Sequence, residues 1–173
     1  GQNTEGQCNS PDGNFVYIDA GRFHSIALRA DGSTACWGNN TSGQCDSSPG
    51  PFKEVASGSF HVVALQEDGS VECWGANNFG QTSPPNGTYT QVDAGWEFSV
   101  ALRDDGEIIC WGRNLEGQCV PPNGPFVQVA AGGEHCVGLR ENGTVVCWGR
   151  NDQGQTDAPD GNFTQVNAFG LHS

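Results

Sequence analysis

The chain has 173 residues and a formal charge of −13, with seven basic residues against twenty acidic ones. Nucleic acid and anionic membrane surfaces are held by basic faces, so this balance disfavours both, and no nucleic-acid partner or membrane insertion is expected. No apolar stretch is long enough to insert in a membrane, and 26 glycines with only 16% charged residues suit short strands and tight turns better than helices.

In chain order, the first predicted element is a strand from Phe15 to Ile18. Its aromatic returns at Phe52, Tyr89, Phe126 and Phe163, and its aliphatic at Val55, Val92, Val129 and Val166. A small-residue step follows (Ala20-Gly21, Ser57-Gly58, Ala94-Gly95, Ala131-Gly132), and then a position held by His24, His61, Phe98, His135 and His172. The second strand alternates Ile26 and Leu28, matched by Val63/Leu65, Val100/Leu102 and Val137/Leu139, the period of a strand with one buried face. Asp31-Gly32, Asp68-Gly69, Asp105-Gly106 and Asn142-Gly143 then close a hairpin, since these pairs tolerate positive φ. The third strand ends in Cys-Trp-Gly at Cys36, Cys73, Cys110 and Cys147, each 37 residues after the last. A polar Gly-Gln segment (Gly43-Gln44, Gly80-Gln81, Gly117-Gln118, Gly154-Gln155) is expected to add a short edge strand and complete a four-stranded unit.

A strict period of this size marks an array of one supersecondary unit that cannot bury its apolar face alone. The expected architecture is all-β: a β-propeller of 37-residue, four-stranded blades forming one repeat domain over residues 1–173. Each triplet Trp brings on the order of 200 Å² to a blade interface, at most about 5 kcal/mol at ~25 cal/mol/Å². The length is about four and two-thirds repeats, with Gly1 aligned on Gly38 and Ser173 on Ser25. Both ends therefore fall inside a blade, and an incomplete ring or part of a longer array is expected; there is no methionine to start translation. The rival is end-to-end assembly of copies.

The run Ala20-Gly21…His24-Ser25…Ala27-Leu28…Asp31-Gly32…Trp37-Gly38…Asn40…Gly43-Gln44 resembles the regulator-of-chromosome-condensation repeat, over the whole chain. That resemblance implies a β-propeller, commonly of seven blades. The Cys of the triplet makes the chain more similar to secreted bacterial members and to the ectodomains of Crinkly-type plant receptor kinases. The family hosts nucleotide exchange, ultraviolet sensing, enzyme inhibition and receptor ectodomains, so fold does not fix function.

Eight cysteines indicate an oxidising, secretory compartment, and five Asn-x-Ser/Thr sequons agree: Asn39, Asn40, Asn86, Asn142 and Asn162. Of these, Asn142 at a hairpin tip is the best placed to carry an N-linked glycan. Two disulfide schemes are open. The favoured one joins Cys36–Cys45, Cys110–Cys119 and Cys136–Cys147; the other joins Cys8–Cys36, Cys45–Cys73 and Cys119–Cys147. Neither has the paired Cys-x-x-Cys spacing of structural zinc.

The histidines share one phase of the repeat and are expected to be buried, tying each blade to the next. Carboxylates at Asp31, Glu67, Asp68, Asp104, Asp105 and Glu141 are read as solvated turns. No nucleophile elbow or isolated Cys/His pair suggests catalysis, and no cofactor or metal is expected. The expected function is non-catalytic: an extracellular binding or scaffold propeller for a protein partner. Alternatives are the subunit of an extracellular filament formed by self-assembly, and an inhibitor of a secreted enzyme or a receptor ectodomain; a nucleotide-exchange or chromatin factor ranks below these. The contact surface is placed on the loops that vary between repeats: Arg22-Phe23, Ser59-Phe60, Trp96-Glu97 and Gly133-Glu134, with Trp96 as anchor.

Overall fold

The computed structural model describes residues 3–172; the alignments made for Gly1 and Ser173 lie outside the described residues. Four antiparallel sheets follow one another, each an inner, a middle and an outer strand. They are β1 (Tyr17–Ala20), β2 (His24–Leu28) and β3 (Thr34–Gly38); β4 (Phe52–Ser57), β5 (His61–Gln66) and β6 (Val71–Gly75); β7 (Gln91–Ala94), β8 (Phe98–Leu102) and β9 (Ile108–Gly112); β10 (Gln128–Ala131), β11 (His135–Leu139) and β12 (Val145–Gly149).

The blades are three-stranded, which corrects the expected fourth strand. The Gly-Gln segment is a turn because its glutamine folds back on itself. Gln44 is fully buried, and its side-chain oxygen accepts the Ser42 amide at 2.9 Å. Its backbone carbonyl is taken by the indole of Trp74, 30 residues on, at 3.0 Å. Gln7, Gln81 and Gln118 receive Trp37, Trp111 and Trp148 in the same way. A segment committed to these bonds has no ladder left to offer a strand.

The core lies between blades. Ile26 and Leu28 of the first pack with Phe52, Val55 and Val62 of the second. Val63 and Leu65 meet Tyr89, Val92 and Trp111, while Val100 and Leu102 meet Phe126, Val129 and Trp148. The fifth repeat contributes Val166 and Ala168 against Val137 and Leu139 without forming a strand. Trp111 and Trp148 are buried as expected, whereas Trp37 and Trp74 are half-buried.

At each hairpin only the glycine has positive φ (79° at Gly32, 83° at Gly69, Gly106 and Gly143), so Asp31 and its equivalents stay in ordinary backbone. The Arg29 amide bonds the Ser33 carbonyl, and the Gly32 amide returns to the Arg29 carbonyl. This is a longer hairpin with one left-handed glycine, not a two-residue turn.

Two of the three favoured disulfides are present, Cys36–Cys45 and Cys110–Cys119. The third, Cys136–Cys147, is not. Cys147 lies opposite Val137 and Cys136 opposite Trp148, so the two thiols point to opposite faces of one sheet. Successive residues of a strand alternate in face, which forbids the bridge. Cys136 instead sits in the interface of the third and fourth blades with its sulfur 3.7 Å from the Gln118 carbonyl. Ser25 and Ser99 occupy the same place in their blades and donate to the carbonyls of Gln7 and Gln81.

Candidate functional site

The loops joining inner to middle strands lie on one face of the array, and the β2–β3, β5–β6, β8–β9 and β11–β12 hairpins on the other. The loop face is held together from blade to blade by backbone. The Ser59 amide donates to Trp96 O at 3.1 Å, the Trp96 amide to Gly133 O at 3.0 Å, and the Gly133 amide to Gly170 O at 2.6 Å. The preceding glycine makes this approach possible: a Cβ on Gly58 would lie 2.1 Å from the His61 ring and 2.6 Å from Gly95 O.

Among the residues expected to make contact, Arg22 is exposed and Phe23, Phe60, Trp96 and Glu97 are half-buried. The Arg22 guanidinium lies over the Phe23 ring at 5.1 Å, and Phe23 meets Phe60 with centroids 5.4 Å apart. Three expected contact residues are corrected. Ser59, Gly133 and Glu134 are buried, the first two by the backbone bonds just described. Trp96 is not a free anchor: its indole covers Gly133, where a Cβ would come within 2.6 Å of Cε2. Glu134 is enclosed by Arg113 and by Arg150, the latter at 2.5 Å. Arg113 also reaches Glu97 at 3.4 Å and lies over the Phe79 ring. The surface that results is an arc from Arg22, Phe23 and Phe60 to the Glu97–Arg113–Glu134–Arg150 ion network.

The histidine position is buried at His24, His61, Phe98 and His135, whereas His172, which lies outside any strand, is exposed, against expectation. His61 ties its blade to the next through Nε2 and Ser99 Oγ, 3.0 Å apart. His24 cannot do the same, because Val62 stands where Ser99 does, and neither of its ring nitrogens has a hydrogen-bond partner among the described residues. Burial lowers its pKa to about 4, and burial followed by repulsion from His24 lowers that of His61 to about 3. Both are neutral core groups at physiological pH.

The inner strands line an open, concave hollow of about 1030 Å³. Three carboxylates in it were not singled out from the sequence: Asp19, Glu54 and Asp93. Each clamps the next inner strand. Asp19 accepts the Ser57 amide at 2.6 Å, Glu54 the Val92 amide at 3.1 Å, and Asp93 the Ala131 amide at 2.8 Å. Burial raises all three, Glu54 and Asp93 to about 7, and Asp19 and Glu54 add repulsion at Asp93. Their signal in the sequence was a polar residue recurring inside a strand otherwise read for its apolar face. At the position of Glu54 the following blades carry Gln91 and Gln128, whose amides both donate to and accept from the backbone of the next repeat, at Val129 and Val166.

The hairpin carboxylates are engaged by their own turns. Asp31 accepts the Ser33 hydroxyl at 2.7 Å and Asp68 the Ser70 hydroxyl at 2.6 Å, and these bonds hold both below the usual carboxylate range. Among the described residues no group of three or more His, Cys, Asp or Glu is placed to hold a metal ion, and no helix is long and apolar enough to cross a membrane.

Radially packed sheets with a concave hollow and a loop face define a β-propeller of the repeat type. The chain belongs to the regulator of chromosome condensation (RCC1) repeat family, matched at residues 15–44, 52–81, 89–118 and 126–155. No curated protein matches the chain by sequence. It is similar in structure to the CRINKLY WD40 ectodomain of the Arabidopsis thaliana receptor kinase ACR4, at 26% identity and a TM-score of 0.73 over 90% of this chain and 56% of that one. The entire ectodomain of the Physcomitrella patens receptor kinase CR4 gives 28% identity and a TM-score of 0.75, over 90% and 45% respectively. Prp20p of Saccharomyces cerevisiae, described with its binding to Gsp1p and histones, shares the fold at 20% identity and a TM-score of 0.76, over 91% and 54%. The chain thus spans about half the length of these solved structures.

Proposed function

We propose that this chain is a non-catalytic, extracellular binding and scaffold propeller that holds a protein partner on its loop face. The observation that carries this reading is the arc of side chains that changes along that face. Arg22 stands where the later blades carry Ser59, Trp96 and Gly133, and Phe23 and Phe60 stand where the last two carry Glu97 and Glu134. Yet in all four blades the loop backbone is pinned by the same bond, from the amides of Asn39, Ala76, Arg113 and Arg150 to the carbonyls of Phe23, Phe60, Glu97 and Glu134. A rigid frame with variable loops is the arrangement that recognition surfaces use. The two disulfides and the likeness to receptor ectodomains support the extracellular setting. The acids and bases described above have structural partners or are sealed in the core, which supports binding over chemistry. A photoreactive residue at Arg22 should capture a stoichiometric protein partner in the native extracellular setting, while one at Asp105 on the hairpin face should not. Capture from Asp105 alone, or from neither, overturns the reading.

Self-assembly into a filament is a second reading, favoured by one observation. Val16, just before β1, and Tyr17 and Ile18 at its start are 65%, 45% and 61% exposed, an apolar strip along the edge of the first blade. Concentration-dependent association in light scattering, abolished by Ile18→Lys, would support it, and a monomer at all concentrations would remove it.

A further inference from the structure

We propose that Asn86, Asn142 and Asn162 are the acceptors of N-linked oligosaccharide, all on the hairpin-tip face, and that Asn39 and Asn40 are not. The inference rests on the extracellular reading and adds to it a sidedness: one face sugar-coated, the opposite face bare for contact.

The five sequons are equivalent as sequence and unequal in the fold. Asn40 occupies a loop position held by asparagine in every repeat. Its Oδ1 accepts the Cys45 amide at 2.8 Å and its Nδ2 donates to Asp46 at 2.8 Å. Asn3, Asn77 and Asn151 close their own loops with the same pair of bonds, and Asn114 accepts the Cys119 amide likewise. None of those four opens a sequon. Loop closure alone therefore explains why residue 40 is asparagine. Asn39 is half-buried, with Oδ1 taken by the Thr41 amide and hydroxyl and by Gln44 Nε2, and Nδ2 donating to Glu5 at 3.1 Å.

The other three are exposed, and the side-chain amide nitrogen of each donates no hydrogen bond among the described residues. Asn142 tips the β11–β12 hairpin; its Oδ1 accepts the Thr144 amide at 3.1 Å and hydroxyl at 2.8 Å, which leaves Nδ2 pointing away from that turn. The three sibling hairpins make the same turn with aspartate, so this one alone offers an amide nitrogen. Asn162 adjoins it: a Cβ on Gly143 would lie 3.1 Å from Asn162 Cβ, and the Phe163 amide bonds Gly143 O. Asn86 stands beside the second and third hairpins, since Thr88 and Tyr89 border Gly69, and Gly87 borders Arg103.

The transfer balances simply. Nδ2 attacks C1 of the first sugar of a polyprenyl-diphosphate-linked oligosaccharide. The N–C1 bond forms as the C1–O bond to diphosphate breaks; polyprenyl diphosphate leaves with the electron pair, and one amide proton goes to base. No oxidant or reductant is involved.

The test is secretion of the full chain from a glycosylating eukaryotic host behind a host leader, with glycan release in ¹⁸O water and peptide mass mapping. The expected result is conversion at Asn86, Asn142 and Asn162 and none at Asn39 or Asn40. Thr88→Ala, Asn142→Asp and Thr164→Ala should each remove one glycan mass, and Asn142→Asp keeps the turn because the sibling hairpins already use that residue. A glycan on Asn39 or Asn40, or an empty site among the three, overturns the assignment. Protein from its native source that carries none, while the host occupies all three, would sink the extracellular reading and leave the acceptor assignment standing.

Discussion

The indole Nε1 of Trp111 donates to the backbone carbonyl of Gln81 at 2.9 Å, and the same oxygen accepts the Ser99 hydroxyl at 2.8 Å. One carbonyl of the Gly-Gln turn that follows the second blade thus anchors the outer and middle strands of the third, and the contact recurs at Gln7 and, with sulfur for oxygen, at Gln118.

Trp111→Ala should therefore cost about 3–5 kcal/mol, the range for truncating a large buried aromatic. Trp111→Phe should cost less, because apolar burial is largely kept and Ser99 still satisfies the carbonyl. Urea unfolding of both variants checks the order. Trp37→Ala, at a half-buried position, should fall below Trp111→Ala.

Cys136→Ser should leave the number of disulfides unchanged at the two present and lower the titratable thiols by one. Ser25 and Ser99 already fill the equivalent site, so stability should change by less than about 1 kcal/mol. Paired removal of Cys36 and Cys45 should cost about 2.5–3 kcal/mol by loop-closure entropy. Thiol counting under denaturing conditions, with unfolding curves, reads both.

Glu54→Gln should stabilise the protein at pH 8 by up to about 3 kcal/mol, because it removes a carboxylate that burial keeps protonated up to about pH 7 and puts in its place the neutral amide that Gln91 and Gln128 already use there. The Glu54 pKa is raised, so its contribution is full below the unfolded value near 4.5 and is lost as pH rises through about 7. The gain of the variant should accordingly appear only as pH climbs through that window and vanish below it. Unfolding midpoints at pH 4, 6 and 8 give the answer.

His24 titrates the other way. Its pKa is lowered to about 4, so its contribution is present above the unfolded value of 6.5 and is lost as pH falls toward 4, about 3 kcal/mol in all. His24→Phe should flatten that acid limb, because Phe98 fills the same position against Gly95. Between pH 4.5 and 6.5 the opposite slopes of Glu54 and Asp93 partly hide the effect, and a background carrying Glu54→Gln and Asp93→Asn exposes it.

The propeller was legible because Cys-Trp-Gly repeats in strict phase and each strand keeps its alternation. What escaped was the hydrogen bonding between repeats. The Gly-Gln segment is too polar to read as a strand by itself and was given an edge strand only to complete a four-stranded unit, while Gln44 folds back and gives its carbonyl to Trp74. Cys136 was paired by counting, although strand alternation in the sequence already separated it from Cys147. The variable loops do gather on one face, but Trp96 was judged by its departure from pattern, and the neighbouring Gly133 that receives it has no side chain to announce the contact. Asp19, Glu54 and Asp93 were invisible for a related reason: nothing in one strand tells which backbone amide of the next it will meet.

The Trp-to-Gln bond always spans 30 residues, and the backbone ties along the loop face always span 37. An internal duplication or excision of one whole unit between two triplets leaves every surviving seam with its former partners. Gene-level growth or shrinkage of such a protein therefore remakes one seam at a time, and lineages that differ by whole units should keep the seams away from the cut.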